Sequence, residues 1–155
     1  MRTILTTLAL LLMAVWHMGA RATEPGTLPP VVVYAPSPCL ACVDWADHLR
    51  QHGFTVTVEE KLQADMPRIK RWLNVPSALE SVHTAKVGRY FIEGHVPAAD
   101  IRRLVAERPA ATGLTVPGMP FGSPGMGPEA EREAYDVLLV GLDGSSSMFT
   151  SYPAA

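Results

Sequence analysis

The chain has 155 residues, and its 13 lysines and arginines are outnumbered by 15 aspartates and glutamates, so its formal net charge is −2. A protein that binds nucleic acid needs a basic face to neutralise phosphates, and this composition supplies none. We therefore expect no nucleic-acid partner.

The start of the chain has the features of a cleaved secretory signal peptide. Arg2 provides the positive charge, residues 4–16 are apolar and uncharged, and an A-x-A-like cleavage site ends at Ala22. The apolar stretch is shorter than the roughly 20 residues that span a bilayer. The sequence thus predicts a signal peptide at 1–22 and one exported domain at 23–155, with no membrane anchor after cleavage.

The first predicted elements of this domain are a strand, a helix and a second strand. Residues 31–34 form a short β-branched apolar run, which is typical of a buried strand. Ser37 and Pro38 follow as a capping hydroxyl and a first-turn proline, and Gly53 suits the end of the helix that they begin. Residues 54–58 alternate with a period of two and predict the second strand. The apolar positions of the helix share one face: Cys42, Trp45, Ala46 and Leu49.

A second helix is predicted to begin at Asp65, which can cap it, and to end at Asn74. Its spacing would turn Ile69, Trp72 and Leu73 towards the core.

The remaining elements alternate between regular and irregular segments. Residues 87–92 are a third strand candidate, and a third helix is predicted from Pro97 to Pro109. Recurring glycines and prolines make 112–128 irregular. Two strands, at 135–142 and 147–152, then form a hairpin around an Asp-Gly turn. The resulting order βαβαβαββ predicts a single α/β domain.

The two cysteines of the chain, Cys39 and Cys42, form a C-x-x-C at the predicted strand-to-helix junction. Free N–H groups and the positive dipole end of a helix start favour the thiolate, which attacks disulfides and binds metals. A bridge across so short a loop gives little entropic stabilisation. The pair is therefore explained by reactivity or by metal, and the residues alone leave both open.

Soft donors elsewhere in the chain favour copper over zinc. Two sulfurs do not complete a four-ligand zinc site, whereas Cu(I) accepts fewer donors and is selected by thiolate and thioether. Met119 and Met126 lie in the proline-rich segment, although methionines also serve as flexible core fillers.

Histidines are the candidate nitrogen donors. His83 lies between two predicted elements and is either a ligand or a surface or capping residue, and His95 is a similar case. His48 and His52 are four residues apart on the first helix and could clamp a metal. Because they lie off the apolar face, we interpret them as a solvated pair.

Four segments carry a resemblance that extends over nearly all of the predicted domain: VY before the cysteine pair, WADHLRQHGF at 45–54, HTAKVGRYFIEGHVPAADIRRLVAERP at 83–109 and TGLTVPGMPFGSPGM at 112–126. They resemble a bacterial family of periplasmic metal-binding proteins, formerly a domain of unknown function, that includes the CopG-type copper-resistance proteins. The last two segments are highly specific. The resemblance implies a thioredoxin-like fold, with a mixed central sheet flanked by helices, that holds copper.

The resemblance also implies a set of metal ligands. By position these are Cys39, Cys42, His83, Met119 and Met126. Family members commonly carry a further cysteine where this chain has Val82, and a cysteine-rich run near the first motif. With only two thiolates, a single Cu(I) or a pair fits better than a cluster bridged by many sulfurs.

These observations lead to two hypotheses of different classes. The first is a periplasmic copper-binding protein for copper handling or resistance, whose partners are the metal ion and other periplasmic copper-handling proteins. The second is a thiol–disulfide oxidoreductase, in which Cys39 attacks, Cys42 resolves and Pro120 faces the pair. A module with an inert bridge is a third possibility, and whether the protein is an enzyme stays open.

Overall fold

The computed structural model describes residues 27–155, so the predicted signal peptide at 1–22 lies outside the described residues. Strands and helices follow in this order: β1 Val31–Pro36, α1 Leu40–Gln51, β2 Val56–Lys61, α2 Met66–Trp72, β3 Thr84–Val87, β4 Tyr90–Glu93, α3 Ala98–Glu107, β5 Ala111–Thr115, β6 Tyr135–Gly141 and β7 Ser146–Tyr152. Within this part of the chain, every helix is too short or too polar to cross a bilayer.

The strands form one mixed sheet in the order β2-β1-β3-β4-β5-β6-β7. The pairs β1–β2 and β4–β5 are parallel and the other neighbours are antiparallel. Parallel neighbours need a crossover, which α1 and α3 provide. The predicted α/β class, with a mixed central sheet flanked by helices, is confirmed.

The main core lies between the sheet and the two crossover helices. Alternate residues of β1, Val31 and Val33, are fully buried, as expected for one face of a strand. Opposite them, α1 and α3 contribute an apolar stripe of fully buried side chains: Trp45, Leu49, Ile101 and Leu104. A smaller cluster on the other face of the sheet, near the end of α2, contains Val75, Phe91 and Val140.

The predicted third strand is in fact two strands. A tight turn pairs Val87 with Tyr90, and Gly88 adopts a positive φ of 56° that few other residues accept. The strand candidate 87–92 hid this turn. With the additional strand β5, the observed order is βαβαββαβββ rather than βαβαβαββ.

Three smaller predictions were wrong. Trp72 does not face the core but is 60% exposed, because Met66 and Lys70 occupy the inward positions of the short helix α2. The helix α1 begins after the Ser-Pro pair, with Cys39 as its N-cap, while the Ser37 hydroxyl donates to Glu60. Strand β5 covers part of the segment predicted to be irregular.

Candidate metal site

The cysteine pair lies at the N-terminal end of α1, as predicted. Cys39 is the N-cap residue, and its Sγ accepts a hydrogen bond of 3.3 Å from the backbone N–H of Cys42. Cys42 is fully buried, whereas Cys39 is partly exposed. The two sulfurs are joined as a disulfide in this structure. A disulfide offers no thiolate, so a metal could bind through these sulfurs only after reduction.

The imidazole of His83 is fully buried beside the same helix. Its ring centre lies 4.5 Å from that of Trp45 on α1, and the Trp45 indole donates to the carbonyl of Val96. The His83 carbonyl accepts from the N–H of Gly94, which fixes the backbone at the start of β3. Neither ring nitrogen of His83 has a hydrogen-bond partner.

A second buried imidazole, that of His95, faces His83. The ring centres are 4.9 Å apart and the rings are nearly perpendicular, at 87°. The Nδ1 atom of His95 lies 2.8 Å from the carbonyl oxygen of Pro124. Because a carbonyl can only accept, Nδ1 carries the proton and Nε2 keeps a lone pair. That Nε2 atom is buried and has no partner.

Burial keeps both imidazoles neutral. It lowers the pKa of His83 well below its ordinary value, with smaller contributions from His95 and from the positive charge of Lys70 and against the opposing effect of the nearby Gly94 backbone, which does not reach hydrogen-bonding geometry. Burial also lowers the pKa of His95, against the opposing effect of the bond to Pro124. Neutral imidazole is the form that ligates metals.

Three ring nitrogens are thus buried without partners in one place. Buried polar atoms are almost always hydrogen-bonded, and each one left without a partner costs about 1–3 kcal/mol. A histidine pair with a purely structural role would avoid this cost. The arrangement is that of donors held ready for a ligand.

The predicted methionine segment covers the same end of α1. A Cβ atom on Gly125 would come within 2.7 Å of the backbone nitrogen of Trp45 and 2.9 Å of the carbonyl oxygen of Ala41, so the segment lies directly on the first turns of the helix. Met126, next to Gly125, is partly buried, whereas Met119 is 45% exposed. Met126 is thus the neighbour of the glycine that packs on the cysteine-bearing helix, whereas Met119 lies at the surface.

The backbone of this segment is fixed by its own hydrogen bonds. The N–H of Gly122 donates to the carbonyl of Met126, and the N–H of Met126 donates to Ser123, at 2.7 and 2.8 Å. Pro120 lines a surface cavity together with Met119 and Tyr135.

Within residues 27–155, no group of three or more histidine, cysteine, aspartate or glutamate side chains is arranged to hold a metal ion. A metal at this end of α1 would therefore be held by only two of these side chains, by a set that includes a methionine thioether, or by a cysteine sulfur that moves after reduction. Cu(I) accepts so small and soft a donor set, whereas zinc does not.

The other histidine pair has a structural role. The Nε2 atom of His48 accepts from the N–H of Ala98 at the start of α3, and His52 Nδ1 lies 2.8 Å from the His48 carbonyl. The rings lie 4.3 Å apart. These contacts use one nitrogen of each ring: His48 caps a helix, while His52 stays exposed.

Sequence reasoning undervalued His95 because it missed the hairpin. His83 directly precedes β3 and His95 follows β4 by one intervening residue, and Thr84 pairs with Glu93. Antiparallel pairing therefore brings the two histidines together. The glycine inside the apolar run 87–92 was the signal that could have revealed it.

Comparison with known proteins places the chain in a family. Residues 79–126 match a family model described as a protein of unknown function, DUF411. A solved structure named copper resistance protein CopG, form 2, is 41% identical, with a TM-score of 0.75, and the match covers 81% of this chain and 99% of that one. Form 1 gives the same identity and TM-score and covers 82% and 99%. The chain belongs to the CopG family. No curated protein sequence matches it.

The family membership expected from the sequence is thus confirmed. The stretch matched by the family model contains both buried histidines and both methionines of the segment, and it ends at Met126. The cysteine pair precedes that stretch. In this CopG-family chain, the candidate site therefore combines histidines and methionines from the stretch that matches the family model with a cysteine pair that lies before that stretch.

Proposed function

We propose that the protein binds copper as Cu(I) in the periplasm and serves in copper resistance. The ligands in this proposal are the reduced sulfurs of Cys39 and Cys42, the imidazole of His83, and a thioether from Met119 or Met126. The observation that carries it is the buried His83 ring, which has two partnerless nitrogens and lies against the helix that bears the cysteines.

The chemistry of this donor set suits Cu(I). Thiolate and thioether are soft ligands, and imidazole also binds copper. The N-cap position of Cys39 favours its thiolate once the disulfide is reduced, because the helix dipole and the Cys42 N–H stabilise negative charge there. Of the two methionines, Met126 is supported by its burial and by its neighbour Gly125, which contacts α1.

Competition for Cu(I) tests this proposal. We would titrate the reduced mature protein with Cu(I) in the presence of a chromophoric chelator. The Cys39→Ser/Cys42→Ser variant should bind at least about 100-fold more weakly, which corresponds to about 2.7 kcal/mol. The exposed His52→Gln substitution is the control and should leave the affinity unchanged. An unaltered affinity in the double variant would overturn the proposal.

Export belongs to the same proposal, and its test is separate. Protein recovered from the periplasm should begin at Thr23, after the A-x-A-like site that ends at Ala22. A full-length chain retained in the cytoplasm would contradict it.

A dithiol–disulfide exchange activity is the second candidate. The disulfide between a partly exposed Cys39 and a buried Cys42 favours it, since an attacking and a resolving cysteine need these positions. The order of β1 to α3, with β2-β1-β3-β4 in the sheet, supports a thioredoxin-like assignment for this part of the domain. Exchange with a model disulfide should be lost in Cys39→Ser. A rate no faster than that of a free thiol would remove this candidate.

A further inference from the structure

We propose that His83 and His95 form a two-nitrogen site that holds one Cu(I) ion while Cys39 and Cys42 are still joined as a disulfide. The inference rests on the proposed function for the choice of metal and deepens it in two ways. It adds His95 as a ligand, and it makes copper binding independent of the thiols.

The hydrogen bond of His95 is that of a metal ligand. Histidines that bind metals usually donate their other ring N–H to a carbonyl or carboxylate, which fixes the ring and its tautomer. His95 does this through Nδ1 to the Pro124 carbonyl, at 2.8 Å. The remaining nitrogen, Nε2, is fully buried and has no partner in the described part of the chain.

The spacing of the two rings fits one shared ion. Metal–imidazole bonds are about 2.0 Å long, so two rings on one ion have centres about 5 Å apart at a near-tetrahedral angle and about 6 Å apart on a linear two-coordinate ion. The centres of His83 and His95 are 4.9 Å apart and the ring planes are nearly perpendicular, so a shared ion would have a bent nitrogen–metal–nitrogen angle.

The surroundings favour a soft monovalent ion. The Trp45 ring lies 4.5 Å from His83 on the side of α1, and Val96 next to His95 is fully buried. Neutral nitrogen donors in an apolar setting compensate the charge of a divalent ion poorly. Cu(I) needs less charge compensation and accepts a low coordination number.

These nitrogen donors are available in the disulfide form. In the structure the sulfurs are joined as a disulfide, and all three free ring nitrogens still lack partners. We therefore expect copper to be held by nitrogen in the oxidised protein. An external dithiol that reduces the Cys39–Cys42 disulfide, and is itself oxidised to a disulfide, would then make two thiolate donors available.

Titration of the disulfide form with Ag(I), a redox-inert substitute for Cu(I), tests this inference. Imidazole ¹⁵N shifts should change at His83 and at Nε2 of His95 with one equivalent, while a thiol assay stays negative. His95→Gln should weaken this binding at least tenfold, and His52→Gln, the matched exposed control, should not. The wild-type shifts alone decide the question if His95→Gln fails to fold.

Two outcomes separate this inference from the proposed function. If the reduced protein binds Cu(I) through its cysteines but the disulfide form shifts neither imidazole, the two-nitrogen site is wrong and the proposed function stands. If the disulfide form binds Ag(I) at both rings while the cysteine variant keeps full Cu(I) affinity, the thiolate ligands are wrong and the nitrogen site stands.

Discussion

Two buried polar clusters flank the β3–β4 hairpin, and they differ in whether their polar atoms have partners. Towards α2, the ammonium of Lys70 contacts the carboxylate of Glu93 and, at 2.9 Å, the hydroxyl of Thr84. The N–H of Ser81 donates to the same carboxylate. Towards α1, the His83–His95 pair has three ring nitrogens without partners.

The comparison shows how buried polar groups divide between stability and function. A cluster in which each charge meets an opposite charge or a hydrogen bond contributes to the fold and has little capacity left for a ligand. A cluster with free lone pairs reduces stability and is retained for what it binds. Substitutions in the two clusters should therefore have opposite effects.

The largest effect on stability should come from the cluster near α2. Lys70→Met leaves the Glu93 carboxylate buried without its cation, and we expect the free energy of unfolding to fall by about 3 kcal/mol or more. Denaturant unfolding measures this. Lys86→Met, which removes an exposed lysine from the same hairpin, is the control and should change stability by less than about 1 kcal/mol. Equal effects of the two variants would contradict the comparison.

A smaller effect is expected where the methionine segment meets α1. Gly125 has a φ of 83°, and a side chain there would overlap the Trp45 backbone. Gly125→Ala should cost about 2 kcal/mol and weaken Cu(I) binding, because the segment also carries the carbonyl that orients His95. Gly118 has a φ of 72° but open space around it. Gly118→Ala should therefore lower the free energy of unfolding by about 1 kcal/mol and leave copper binding unchanged. Equal copper affinities in both variants would show that the methionine segment does not contribute to copper binding.

Substitution in the His83–His95 pair should change stability in the opposite direction. His83→Leu removes two partnerless nitrogens and fills the space with apolar atoms, so the unfolding free energy should stay the same or rise by about 1 kcal/mol. Its Cu(I) affinity should nevertheless fall at least tenfold, which corresponds to about 1.4 kcal/mol. Loss of stability together with unchanged copper binding would make His83 a structural residue.

The smallest effect concerns a histidine whose nitrogen does have a partner. Burial and the neighbouring His52 lower the pKa of His48 to about 4 from 6.5, and its Nε2 accepts from Ala98. Below pH 6.5 the unfolded chain binds a proton that the folded chain does not, so this contribution to stability is lost between about pH 6.5 and 4. His48 is only half buried, so its share of the slope should be below about 1 kcal/mol per pH unit, in addition to the shares of the buried His83 and His95. His48→Gln should remove this share and make the slope shallower, and an unchanged slope would contradict the assignment.

Much of the fold followed from local patterns. The β-branched run of β1, the apolar stripe of α1 and the Asp-Gly turn before β7 each depend on neighbours in sequence, and all three elements formed, although α1 begins later than predicted. The hairpin at Gly88 had one local signal, the glycine itself. The outward turn of Trp72 depended on which residues the rest of the protein covers, and no local pattern contains that information.

The candidate site also combines features that local sequence predicts with features that depend on the rest of the fold. The cysteine pair at a helix start was predictable because capping and dipole effects act within one turn. That His95 meets His83, and that the Pro124 carbonyl sets its tautomer, required the hairpin and a contact across 29 residues of chain. Charge neutralisation between Lys70 and Glu93 likewise arises only once both are buried together.

X-ray absorption at the copper edge of the reduced, copper-loaded protein tests the central claim most directly. We predict a first shell that contains both sulfur and imidazole nitrogen, with the imidazole scattering diminished in His83→Leu and the sulfur scattering diminished, to that of the thioether, in Cys39→Ser/Cys42→Ser. A shell of sulfur alone, unchanged by either histidine substitution, would contradict the claim that the buried imidazoles are held free to bind copper.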